Sequence, residues 1–157
     1  MADKMNFQEA LNVKVGSIER PPKIPQGTYV VKVNKQPFFA KTGEDDRYET
    51  CDFTLGLIQP TDNVDAADLE EYGPITNSSI QLRFMFDSED KSRFERSLFF
   101  LKRFIEEHLL VDGADKMPLK KALADTVNHQ CMVDVVWSPN PKDPEEFFVN
   151  AGKTMPV

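Results

Sequence analysis

The stretch Gly27 to Ile58, GTYVVKVNKQPFFAKTGEDDRYETCDFTLGLI, decides how the chain is read. Tyr29, Val31 and Val33 alternate with Val30, Lys32 and Asn34, and farther on Cys51, Phe53, Leu55 and Leu57 alternate with Thr50, Asp52, Thr54 and Gly56. A period of two sets one face against a core and the other in water, so each run is a half-buried strand. Between them Pro37 removes a ladder donor, which argues for an edge, a bend or a bulge near 36–41. Residues 42–46 then make a wide, charged loop, and the second strand runs over 47–58.

Outward from this pair, residues 1–20 read as an arm with one short helix. Asn6 caps it, Glu9 stands three residues on, and Phe7, Leu11 and Val15 share one side. That helix either packs back on the domain, which occupies 21–157, or docks on a partner or a second copy. Prolines 21, 22 and 25 force an extended approach to the first strand. Residues 61–73 are an acidic insertion with a short helix over 66–72. Asp62, Asp65 and Asp68 lack the spacing of a calcium loop. A third strand, 79–86, turns Ile80, Leu82, Phe84 and Phe86 inward and Gln81, Arg83 and Met85 outward.

Asp87 or Ser88 is expected to cap a long helix over 89–110, striped by Phe94, Leu98, Leu101, Ile105 and Leu109. Gly113 ends it, and Pro118 opens a second helix with Leu119, Ala122, Leu123 and Val127 on its apolar side. A fourth strand, 131–137, has Cys131, Val133, Val135 and Trp137 on one face. Three prolines make 138–145 a loop, and the last strand is 146–151.

Hydrophobic residues are 40% and charged residues 29% of the 157, ordinary globular composition that fits one domain with a real core. The net charge of -7 speaks against coating nucleic acid through overall positive charge. Its distribution leaves room for a local basic surface: residues 1–42 carry seven Lys or Arg against three Asp or Glu, and 43–73 carry one against ten. No secretory signal opens the chain and no apolar run nears ~18 residues. The expectation is a cytoplasmic protein, in the host cytoplasm if phage-encoded, with no membrane partner. Cys51 and Cys131 are expected as buried free thiols, a disulfide being the alternative.

Three strands, two helices and two strands, in that order, form a mainly β fold. The pattern is a five-stranded OB-fold-like barrel, with a long helix plus a second helix inserted between strands 3 and 4. An open antiparallel sheet crossed by the long helix fits the same order. The run Arg20-Pro21-Pro22-Lys23-Ile24-Pro25-Gln26-Gly27-Thr28-Tyr29, the Lys-Thr-Gly loop, the Phe-rich stretch 93–108 and the closing stretch from Leu123 through Val136 to Phe148 and Asn150 resemble phage-encoded OB-fold proteins of the single-stranded DNA-binding kind. That resemblance implies non-enzymatic, sequence-tolerant binding of single-stranded DNA in replication or recombination, with replication or recombination proteins as further partners. Many such proteins end in an acidic tail that recruits partners, whereas this sequence finishes Gly-Lys-Thr-Met-Pro-Val.

Single-strand binders combine cations that track the backbone with rings on which bases stack. Lys32 and Lys35, Phe38, Phe39, Lys41 and Arg47 around the loop, Tyr48 and Arg83 are the candidates. Of the adjacent Phe38 and Phe39, only one can point inward in an extended chain. Glu44, Asp45 and Asp46 in the same loop would repel phosphates. His108 and His129 sit near helix ends, and no phosphate-binding glycine loop, zinc signature or nucleophile motif is present, so neither catalysis nor a cofactor or metal is expected. A protein-interaction module or an acidic inhibitor, with 62–71 facing a basic partner, is the alternative. A metal-dependent nuclease comes third.

Overall fold

The computed structural model describes residues 6–18 and 22–157. Its organising element is the 13-residue strand β3, Tyr48–Pro60, numbered after β1 (Gly27–Val33) and β2 (Phe38–Thr42). The proline break splits the expected first strand in two. β1 pairs with the second half of β3, from Val33 opposite Leu55 to Tyr29 opposite Pro60. β2 pairs with the first half, from Phe38 opposite Asp52 to Thr42 opposite Tyr48. Both lie along one edge of β3, because β4, Ser79–Asp87, occupies the other, from Tyr48 opposite Asp87 to Gly56 opposite Ser79.

The free edge of β1 takes β5, Gln130–Asn140, and β5 takes β6, Asp143–Met155, every pair antiparallel. The result is a six-stranded open sheet with the path β2-β3-β1-β5-β6 and β4 joined to β3. β6 curls round to contact β4. Among the described residues these two strands share no hydrogen-bonded ladder.

The inward sets are those the alternation gives. Tyr29, Val31, Val33, Cys51, Phe53, Leu55, Leu57, Cys131, Val133 and Val135 are all buried. Helices α1 (Phe7–Ala10) and α2 (Ala66–Tyr72) precede α3, Lys91–Arg103, which supplies Leu101 to this core. Phe53 anchors the contact, its ring edge-on to Phe104 at 5.1 Å and to Phe84 at 5.9 Å. Helix α4, Leu119–Ala124, adds Ala122 and Leu123 and stops before Val127. Among the described residues no helix is long and apolar enough to cross a membrane.

Four expectations are corrected. The cap of α3 is Asp90, whose carboxylate accepts from the Arg93 amide at 3.1 Å, because Asp87 is engaged by Arg47 and the Ser88 hydroxyl donates to the Arg47 carbonyl. The helix does not run uniformly to 110. It opens into a π turn, Phe104–His108, which brings the neighbours Phe104 and Ile105 both into the core, and Leu110 leaves in the left-handed region at φ 55. Residues 138–145 are not a loop, since β5 and β6 continue as a two-stranded ribbon beyond the last β1 pair, Gly27 with Val135. There β5 has an open edge, which tolerates Pro139. Beside it Trp137 is 36% exposed: its indole N–H donates to the Ile24 carbonyl at 2.7 Å and its ring lies 6.1 Å from Phe147.

The arm is the fourth. Asn6 caps α1 by accepting from the Gln8 amide at 2.8 Å, as its sequence suggests. The helix does not pack back, however: Phe7, Leu11, Val13, Val15 and Ile18 are all exposed. The expected extended approach falls partly on residues 19–21, which lie outside the described residues.

Candidate nucleic-acid interface

Cross-strand partners share a face of a sheet, so the register assigns each candidate to a side. On the outer face β3 presents Tyr48, Thr50, Asp52 and Thr54. Beside them β4 presents Gln81, Arg83, Met85 and Asp87, and β2 presents Phe38, opposite Asp52. Lys32, opposite Gly56, extends this face onto β1. Phe38 is 65% exposed and Met85 44%, so two large apolar side chains stand in water around Thr50 and Tyr48.

The adjacent phenylalanines separate. Phe39 pairs with Cys51 and Lys41 with Glu49, so both belong to the opposite side. There they line a cavity of about 470 Å³ against Phe94 and Leu98 of α3 and Leu119 and Leu123 of α4. Lys41 lies 3.9 Å from the Glu49 carboxylate. Lys35 is exposed in the connection between β1 and β2. Of the eight candidates, then, Lys32, Phe38, Arg47, Tyr48 and Arg83 lie along the outer face, Phe39 and Lys41 belong to the opposite one, and Lys35 lies in the connection.

Both arginines are committed to carboxylates. Arg47 reaches Asp87 through two hydrogen bonds of 2.9 Å, and Arg83 reaches Asp52 through two of 2.8 and 3.0 Å. Asp52 and Asp87 are 4% and 5% exposed despite their outward register, because the guanidinium groups lie over them. Bidentate pairing of this kind fixes orientation as well as neutralising charge. The Arg47 hydrogen bonds hold the Asp87 carboxyl below the usual carboxylate range, and Asp87 and Asp52 in turn raise their arginines. Arg47 also lies 5.2 Å from the centroid of the Tyr48 ring, a cation–π distance that pins the ring at the end of the face.

The turn before Tyr48 is built around its ring. Gly43 has φ +86, and a Cβ there would stand 2.8 Å from Tyr48 Cδ2. The acidic trio forms one 3-10 turn, Glu44–Asp46, fully in solvent, with Asp45 and Asp46 at φ 55 and 54. Asp and Asn tolerate that region better than most side chains.

Sequence reading did not pair the arginines with their carboxylates, Asp87 being expected as a helix cap, and gave no binding role to Arg93 and Arg96 of α3, which flank a depression beside Tyr48 and Met85. The signal for the helix pair was present, two arginines three residues apart on a polar helix face. His129 Nδ1 donates to the Leu109 carbonyl at 3.0 Å, the helix-end role expected of it. Cys51 and Cys131 are free and buried, and burial pushes each thiol up to about 12. Among the described residues no three metal-ligating side chains converge. No protein-family model matches the chain, and no curated protein sequence matches it.

Proposed function

We propose that the chain is a non-enzymatic, sequence-tolerant binder of single-stranded DNA, acting in phage-type replication or recombination through the outer face of β2, β3 and β4. The fold under this reading is an incompletely closed OB barrel. The broken strand β1–β2, then β3, β4, β5 and β6 stand in the order of its five strands, with α3 and α4 between the third and fourth. The observation that carries the function is Phe38, 65% exposed on the same sheet face as Tyr48 and Met85, with no element among the described residues laid over it. Exposed rings on such a face offer stacking worth about 1–3 kcal/mol per base.

Fluorescence anisotropy with a labelled single strand at low and moderate salt, duplex DNA as competitor, tests the reading. It predicts micromolar or tighter binding that weakens with salt and resists the duplex. Absence of binding at low salt overturns it. One observation favours the alternative of an interaction module: α2 presents Asp68, Glu70 and Glu71 to solvent without an ion pair among the described residues. A basic partner captured by the intact chain and lost on deleting 62–72, with DNA binding absent, would establish that alternative.

A further inference from the structure

Among the described residues β4 is bonded on one side only, and its other edge opens on a trough walled by α3 and by the end of β6. Leu82 and Phe84 from its inner face and Arg83 and Met85 from its outer face all line this trough, which places it along the strand's free edge. The trough consists of two adjoining depressions, of about 460 and 360 Å³, that share Met85 and Ser97. It begins at Tyr48, on the candidate interface, and ends at Lys153 and Thr154.

The charge of its lining is opposite to that of the protein. In a chain of net charge -7, the two depressions are lined by five cations, Arg83, Arg93, Arg96, Arg103 and Lys153, and by one carboxylate, Asp87, already held by Arg47. Arg83, Arg93 and Arg103 lean on Asp52, Asp90 and Glu107. Arg96 and Lys153 have no carboxylate partner among the described residues. His108, on the floor, accepts or donates at 2.8 Å to Thr154 and sits below the ordinary histidine value. Burial is the first cause, and the Arg103 and Lys153 charges act in the same direction against Glu107. Phe100 opens into the trough, 49% exposed. The ten helical rises from Arg93 to Arg103 span about 15 Å, several times the ~3.4 Å rise of one stacked nucleotide.

We infer that the trough is a second stretch of the DNA path. A strand lying across Phe38, Tyr48 and Met85 turns over the free edge of β4 and lays its phosphates against Arg96, Arg103 and Lys153, with Phe100 open to a base. This rests on the DNA-binding reading and adds a direction and a length to it. Free N–H groups of an edge strand supply further donors to phosphate oxygens.

The test is anisotropy with single strands of about 5 and about 16 nucleotides, bracketing the span of one OB fold, on the intact chain and on Arg96→Ala/Lys153→Ala. Lys121→Ala on α4 serves as control, and thermal melts confirm folding. The double variant is expected to leave the short strand unaffected and to weaken the long one roughly tenfold. Its salt slope should fall by about 1.4, at ~0.7 for each phosphate no longer neutralised. Unchanged affinity and slope for the long strand, while the intact chain binds it, overturn the trough and leave the outer-face reading standing. No binding by the intact chain removes both. A His108 imidazole resonance that moves with an extended peptide and not with the long strand shows instead that the free edge accepts a peptide strand, and overturns the inference.

Discussion

Tyr48 illustrates how much a single position depends on its surroundings. Its place on a wet strand face follows from alternation alone, but its orientation comes from Gly43 on one side and Arg47 on the other. Gly43→Ala should therefore strain a backbone at φ +86 and displace the ring, weakening DNA binding more than it lowers the melting temperature. Asp87 makes a separate prediction. A carboxyl depressed in the folded state contributes stability that is complete above its unfolded-state value and is lost as pH falls through the folded one. Melting temperature should thus decline below about pH 4, and Asp87→Asn should lower it at pH 7 while flattening that acid limb. The thiols are the third case: with Cys51 and Cys131 both pushed up to about 12, a thiol reagent at pH 8 should react with neither in the folded chain and with both in denaturant.

Among the elements, those legible in the sequence are the ones whose pattern is local. The inward sets of β1, β3, β4 and β5, the bounds of α2 and the Asn6 cap all follow from periodicity or a capping residue a few positions away. What was not legible depends on neighbours. Residues 138–145 read as a loop because prolines break central strands, and only the end of β1 at Gly27 makes that part of β5 an edge. Phe38 and Phe39 could not be assigned to faces until β2 was paired with β3; Asp52 read as an ordinary wet residue and Asp87 as a helix cap until the register put arginines over them. At this scale the arm gives a clean prediction. Because Phe7, Leu11, Val15 and Ile18 bury nothing against the sheet, deleting 1–18 should leave the melting temperature unchanged within about a degree, whereas Phe53→Ala should cost about 3–5 kcal/mol in denaturant unfolding.

For the whole molecule the governing fact is segregation. An acidic chain gathers carboxylates in the turn 44–46 and the insertion around α2, and covers the two on its outer face, Asp52 and Asp87, with arginines, so that a face with Phe38, Tyr48, Met85 and Lys32 runs into a basic trough. The central claim is that the outer face of β2, β3 and β4, and not the side carrying Phe39, meets the strand. Two adjacent residues on opposite faces test it directly in one anisotropy titration with a labelled single strand. Phe38→Ala should weaken binding by about 1–3 kcal/mol, the worth of one stacked base, while Phe39→Ala should leave it unchanged. Equal losses, or a loss at Phe39 alone, would contradict the account.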